Sequence, residues 1–307
     1  MSARRGQSGL SGILVIDKPS GMTSHDVVNR VRTATGERRV GHAGTLDPMA
    51  TGILVVLVGP ATRLAPFLTA AQKSYRATIA FGAQTDTDDA DGRVVATAPV
   101  PDEVCDPFIA TGTVAALVGV HEQVPPAFSA IKRGGEVAYV AARRGEVLEV
   151  EPRRIEILHS QLHGLDASRA EWDIELAVSK GTYIRAIARD LGPALGTFAH
   201  LGALRRTRSG SLCLDDSVTL DAVAAADDVR SLFTDPLKAL ALEPLEVSDA
   251  QLDDVANGRR LSIGALDESE RLVSVMHAGA LLAVYKRTGG FAKPIAVIPG
   301  GVVGGLR

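Results

Sequence analysis

Cysteine is almost missing from this chain of 307 residues: Cys105 and Cys213 are the only two, and no CxxC pairing exists. That excludes a cysteine-rich zinc site, argues against a disulfide framework and fits a reducing compartment. The seven histidines form neither an HExxH nor an H-x-E pair, so no catalytic metal and no cofactor is expected. Long apolar runs are also lacking, and nothing approaches the length of a membrane span. The apolar stretch Ile13–Ile16 follows Arg4 and Arg5 but ends at once in Asp17-Lys18, too short for the core of a signal peptide. A soluble, cytoplasmic protein with no membrane partner is the expectation. The segment Gly41–Gly52 is glycine-rich but has no Gly-Lys-Ser/Thr, so it is not a P-loop. Its single acid also lacks the second Asp two residues on that a phosphotransferase with an aspartyl nucleophile would use. Gln84–Gly92 has the acids of a calcium loop, but it lacks the closing glutamate, and Ala90 stands at a ligand position. A turn between two strands is expected there.

What is present is the composition of an ordinary folded protein, with 46% apolar and 22% charged residues, long enough for one large domain and a small one. Net charge is −3, which does not mark a generic nucleic-acid binder, yet its distribution is uneven. From Lys180 to Arg208 the only acid is Asp190, set against Lys180, Arg185, Arg189, Arg205, Arg206 and Arg208. From Asp215 to Asp254 the only bases are Arg230 and Lys238. This pattern suggests a basic face for an anionic partner and an acidic face turned elsewhere; two solvated surfaces are the plain alternative.

Periodicity and turn residues suggest a strand at Gly12–Asp17 and a helix capped by Ser24 and running through Thr35. A buried strand from Ile53 follows, then a helix over about 61–71 and an alternating strand Tyr75–Phe81. A helix lies between Pro101 and Gly119, and Arg154–Leu162 with Ala170–Val178 read as paired strands. Between them, residues 124–152 are rich in Gly, Arg, Lys and Glu and read as an inserted, mobile lobe. Thr182–Leu191 reads as a helix with Gly192 as its stop. Beyond Pro244, a helix at Val247–Asn257 and short strands separated by Gly-rich turns indicate a small β-rich domain.

Three segments carry chemistry. In Gly41–Gly52, Asp47 stands among glycines that allow close approach of a ligand, with Pro48 restricting it to extended conformations. A held, partly desolvated carboxylate suits a nucleophile or general base, although Gly, Asp and Pro are also ordinary turn residues. In Val178–Gly192, Lys180-Gly181-Thr182 can open a helix toward an anion, Tyr183 offers an aromatic face and Arg185 a permanent charge. A solvated amphipathic helix is the alternative. His200–Gly210 concentrates guanidinium groups suited to phosphates.

With these segments in hand, the chain resembles the bacterial tRNA pseudouridine synthase B family. The resemblance runs from Gly12 to about Gly210. It rests on Asp17–Ser24, Gly41–Gly52, Lys73-Ser74-Tyr75, Pro125–Lys132, Ser179–Arg185 and Leu204-Arg205-Arg206. It implies an α+β fold with a mixed, mainly antiparallel central sheet flanked by helices, the pseudouridine synthase fold. Residues 1–243 would be the catalytic domain, and residues 244–307 a small β-rich, PUA-like, RNA-binding domain.

The resemblance further implies isomerisation of uridine to pseudouridine at position 55 in the T-arm stem-loop of tRNA, by a monomer, without guide RNA. Asp47 matches the family nucleophile, attacking C1′ of the sugar or C6 of the base. Such a carboxylate has to be ionised, and burial alone opposes that, so a nearby cation is required; Arg185 matches the family arginine that pairs with it. Tyr75 would stack on the uracil and take part in proton transfer, and Tyr183 and Leu204 would pack around the base. Lys18 and Lys180 would support the pocket or contact phosphates, and Arg205 and Arg206 would contact RNA. The uridine has to be flipped out before attack, and His42 matches a histidine that fills the space it leaves; a loop hydrogen-bonder is the alternative. The insertion would close on RNA, with Lys132, Arg133, Arg143 and Arg144 as phosphate contacts. Two other readings are a tRNA-folding chaperone with incidental catalysis and a guide-dependent ribonucleoprotein enzyme.

Overall fold

The computed structural model describes residues 8–128, 132–133, 136–137, 144, 151–264 and 270–305. Contacts group the chain into two compact units, Met1–Ala71 with Arg208–Arg307, and Gln72–Thr207. This grouping differs from a division at residue 244. No helix among the described residues is long and apolar enough to cross a membrane.

The first unit opens with β1 (Gly12–Lys18), α1 (Ser24–Thr35), β2 (Val40–Ala43) and β3 (Thr51–Val58). β1 and β2 each pair antiparallel with β3, with Lys18 opposite Gly52 and His42 opposite Val56. β3 is buried along nearly its whole length, as its unbroken apolar run requires. The cap of α1 is Thr23, one residue before the expected Ser24, in a capping box with Asp26. Ser24 is instead turned inward and buried. The expected helix after β3 begins as a 3-10 turn, Gly59–Leu64, and continues as α2 (Ala65–Ala70). Gly59 has φ +62°, and a Cβ there would lie 2.0 Å from the Leu10 carbonyl oxygen, so both conformation and space require glycine.

The second unit contains β4 (Lys73–Phe81), β5 (Ala83–Thr85), β6 (Val94–Thr97), α3 (Pro107–Ala115) and β7 (Gly119–Gln123). Two short strands follow, β8 (Lys132–Arg133) and β9 (Glu136–Val137), then β10 (Arg153–Asp166), β11 (Glu171–Val178), α4 (Ile184–Ala194) and β12 (Ala199–Ser209). The sheet order is β12-β4-β11-β10-β7. Burial alternates strictly along β4, so Lys73, Tyr75, Ala77, Ile79 and Phe81 share its buried face. Trp172 anchors this core: its indole N–H donates to the Val104 carbonyl at 2.8 Å, and Phe81 meets its ring edge-on at 4.7 Å.

Back in the first unit come β13 (Leu212–Cys213), α5 (Leu220–Ala225), α6 (Pro236–Leu240), β14 (Glu243–Glu246) and α7 (Leu252–Ala256). Then follow β15 (Leu261–Ser262), β16 (Arg271–His277), β17 (Ala280–Thr288) and β18 (Phe291–Val302). These C-terminal strands form a five-stranded sheet in the order β14-β16-β17-β18-β15. Met276, Leu281, Val284, Ile298 and Val302 pack into one core with Ile13, Val15, Ile53, Val55 and Leu57 of the N-terminal strands. Val273, Val275, Ala283, Tyr285 and Ala292 form a second core with Val247, Val255 and Leu261. A fully buried Ile or Leu contributes about 1.5–3 kcal/mol, so the shared core explains why the C-terminal sheet groups with β1 and β3.

Candidate active site

In the first unit, Asp47 follows β2 and precedes β3, and it is partly buried. Its loop is tied down by two side chains from the β1–α1 segment. Ser24 Oγ donates to the Leu46 carbonyl at 3.0 Å and accepts the Leu46 N–H at 2.9 Å. Lys18 is fully buried, and its Nζ donates to the carbonyls of Pro19 at 2.9 Å, Met22 at 2.6 Å and Pro48 at 3.1 Å. The Gly21 N–H also reaches the Pro48 carbonyl, at 2.9 Å. Lys18 is thus an internal strut that holds the residues on both sides of the turn, and its ammonium lies too deep for an RNA phosphate. His42, on β2, is half-buried.

In the second unit, Tyr75 and Lys73 stand on one face of β4, and Leu204 and Arg206 are buried on the neighbouring β12. Arg206 is only 1% exposed. The alternation of β12 explains this: Leu204 and Arg206 are two apart and turn the same way, whereas Arg205 turns to the other face and is half-buried. An arginine-rich run read as a surface patch is therefore a strand with one guanidinium inside. Lys73 is buried as well, and burial, followed by the charges of Arg206 and Lys180, lowers its pKa to about 8. Lys180 is exposed.

Tyr183 is the N-cap residue of α4, and the helix begins at Ile184, two residues later than expected, because Ser179–Thr182 forms a separate turn with the Thr182 hydroxyl donating to the Ser179 carbonyl. Arg185 lies in the first turn of α4 and is 5% exposed. Its Nη1 donates to the Thr87 carbonyl and its Nη2 to the Phe128 carbonyl, each at 2.9 Å, and Nε lies 3.7 Å from the Asp89 carboxylate. One helical turn on, Arg189 pairs with Asp88 at 3.2 Å and donates to the Val124 carbonyl at 2.9 Å. Burial raises the pKa of Asp88, against the pull of Arg189 and Arg185.

Three of the four acids of Gln84–Gly92 thus face arginines: Asp86 takes Arg93, Asp88 takes Arg189, and Asp89 lies near Arg185. Among the described residues, no group of three or more His, Cys, Asp or Glu could hold a metal ion. This network was not read from the sequence; the i, i+4 spacing of Arg185 and Arg189, which sets both on one face of α4, is the signal that could have pointed to it. Of the insertion, Arg144 is exposed, and the strand Lys132–Arg133 is described only in its backbone. Arg143 lies outside the described residues.

The N-terminal domain model of TruB family pseudouridylate synthases matches residues 32–184, which defines the class of protein. The model of the tRNA pseudouridylate synthase B C-terminal domain matches residues 185–247. The tRNA pseudouridine synthase B of Paenarthrobacter aurescens is 42% identical over 95% of this chain and 96% of its own length. That of Mycobacterium sp. (strain KMS) is 47% identical over 83% and 86%. The chain belongs to the tRNA pseudouridine synthase B (TruB) family. Among solved structures, an archaeal box H/ACA Nop10–Cbf5 complex matches with a TM-score of 0.67 and 23% identity, covering 96% of this chain and 87% of that one. A Cbf5–Nop10–Gar1 complex matches with a TM-score of 0.68 and 24% identity, covering 96% and 86%. At that identity these two speak for the α+β fold alone.

Proposed function

We propose that this chain converts uridine to pseudouridine at position 55 in the T-arm of tRNA, with Asp47 as the attacking carboxylate. The observation that supports this most is the loop around Asp47, held by buried Lys18 and Ser24 in a chain of this family. The reaction breaks the C1′–N1 bond, turns the uracil and joins C1′ to C5, while C5 loses a proton and N1 gains one. Atoms and electrons balance within the nucleotide, so neither a cofactor nor a metal is needed. Attack at C1′ and attack at C6 both begin from the same carboxylate. In this reading Arg185 keeps Asp47 ionised, Tyr75 stacks on the base and serves in proton transfer, and Tyr183 and Leu204 line the pocket. Extrusion of the uridine costs a few kcal/mol, and His42 fills the space it leaves. Exposed Lys180 and Arg144 with Arg205 contact phosphate, together with Lys132, Arg133 and Arg143 of the insertion.

The C-terminal β-rich region, residues 244–307, adds RNA contacts, and the protein acts as a cytoplasmic monomer without guide RNA. The test is mass-spectrometric mapping of pseudouridine in an unmodified tRNA transcript incubated with purified protein alone. Wild type is expected to place one pseudouridine in the T-loop, and Asp47→Asn to place none while still binding tRNA. Conversion by Asp47→Asn would remove the nucleophile assignment, and no conversion without an added RNA would remove the guide-free one.

A further inference from the structure

Gln123, the last residue of β7, has no part in the proposed chemistry, yet it is buried and bonded in an unusual way. Its Oε1 accepts the Tyr183 N–H at 2.9 Å, and its Nε2 donates to the Tyr183 carbonyl at 3.1 Å. The carboxamide therefore acts on Tyr183 as a neighbouring strand would, taking one backbone donor and one backbone acceptor of the same residue. Tyr183 is the N-cap of α4, with φ −102° and ψ 113°, and it makes no side-chain cap bond of its own. Where the N-cap side chain makes no cap bond, the helix start is held through what its backbone meets outside the helix. Gln123 supplies that hold, and the chain just beyond it reinforces the attachment: the Val124 carbonyl takes Arg189, and the Phe128 carbonyl takes Arg185.

We infer that Gln123 is a positioning residue for pseudouridine formation: by fixing the Tyr183 backbone it sets the first turn of α4 and with it the Arg185 guanidinium. Glutamine suits the task because its tip carries both a donor and an acceptor. Glutamate loses the donor and sets a negative oxygen against the Tyr183 carbonyl; methionine keeps the length and loses both bonds. A displacement of about 1 Å in a catalytic arrangement costs on the order of 100-fold in rate, so a small shift of this turn is enough to be measured.

The inference rests on the proposed role of Arg185, and the experiment keeps the two apart. Single-turnover conversion, tRNA dissociation constant and melting temperature are measured on full-length wild type, Gln123→Met, Gln123→Glu and Arg185→Lys. Gln123→Met and Gln123→Glu are expected to slow conversion about tenfold or more, with tRNA affinity within about threefold of wild type. A positioning role thus appears in the rate and not in binding. Conversion by Gln123→Met within about threefold of wild type overturns the inference, and so does a rate loss matched by an equal loss of affinity. If Gln123→Met does not fold, Gln123→Glu is judged by the same criteria, and failure of both to fold makes Gln123 structural only. If Arg185→Lys converts as wild type does, the role of Arg185 falls whatever Gln123 does.

Discussion

Replacing Lys18 by methionine separates an internal strut from an RNA contact. The ammonium makes hydrogen bonds to three backbone carbonyls and is fully buried. Leaving a buried carbonyl without its donor costs about 1–3 kcal/mol, roughly 3–9 kcal/mol for the three together. Against it stands the cost of keeping an ammonium out of water, several kcal/mol, which methionine removes. The Pro48 carbonyl also keeps its bond from the Gly21 N–H, which softens the loss there. A net destabilisation of about 2–4 kcal/mol follows. At roughly 2–4 °C per kcal/mol for units of this size, Lys18→Met should melt about 4–16 °C below wild type. Conversion should fall too, because Pro48 adjoins Asp47. The assay pairs a thermal melt with tRNA affinity measured across salt concentration, and the slope against log salt should match that of wild type. A melting point within about 2 °C of wild type, joined to a slope shallower by about 1, would refute the strut and make Lys18 a phosphate contact.

The neighbouring arginines Arg205 and Arg206 should part in behaviour. Arg205→Gln is expected to lower the salt slope of tRNA binding by about 1 with little change in melting. Arg206→Gln, at a side chain 1% exposed, should lower the melting temperature instead and leave the slope alone. Lys73 makes a pH signature: its folded-state pKa of about 8 lies below its ordinary value of 10.5. The unfolded chain then binds more protons between about pH 8 and 10.5, so this residue's contribution to stability rises with pH across that window. Lys73→Met should flatten the pH dependence of chemical denaturation there; an unchanged slope would show that the amine is not depressed.

Much of the fold was legible because burial follows short-range periodicity. The strict alternation of β4, the pairing of β10 with β11 and the stripe of α1 all stand where the pattern placed them. The strand at 199–209 was not read, because its charge obscured an alternation that buries Leu204 together with Arg206. The same limit holds at the candidate site. The motif marked Asp47, but not that Ser24 clasps the loop from 22 residues away or that Gln123 holds Tyr183 from 60. A polar side chain bonded to distant backbone leaves no periodic trace, and its partner is set by the fold. The acidic turn at Gln84–Gly92 was read as a turn, which it is, while two of its arginine partners, Arg185 and Arg189, lie about a hundred residues on.

The frame of the Asp47 loop leads to a last expectation. The bonds from Lys18 and Ser24 reach the Leu46 carbonyl and N–H and the Pro48 carbonyl, backbone groups on either side of Asp47. A loop whose geometry is set by its neighbours' backbone should tolerate a change of the functional group it presents. Asp47→Asn keeps size and shape, so its stability should stay within about 1 kcal/mol of wild type, a few °C in melting temperature, while conversion is lost. Lys18→Met should show the reverse emphasis, with stability falling first and activity following. A large drop in melting for Asp47→Asn would mean that the carboxylate itself holds the loop, and loss of activity in that variant could then no longer be read as loss of the nucleophile.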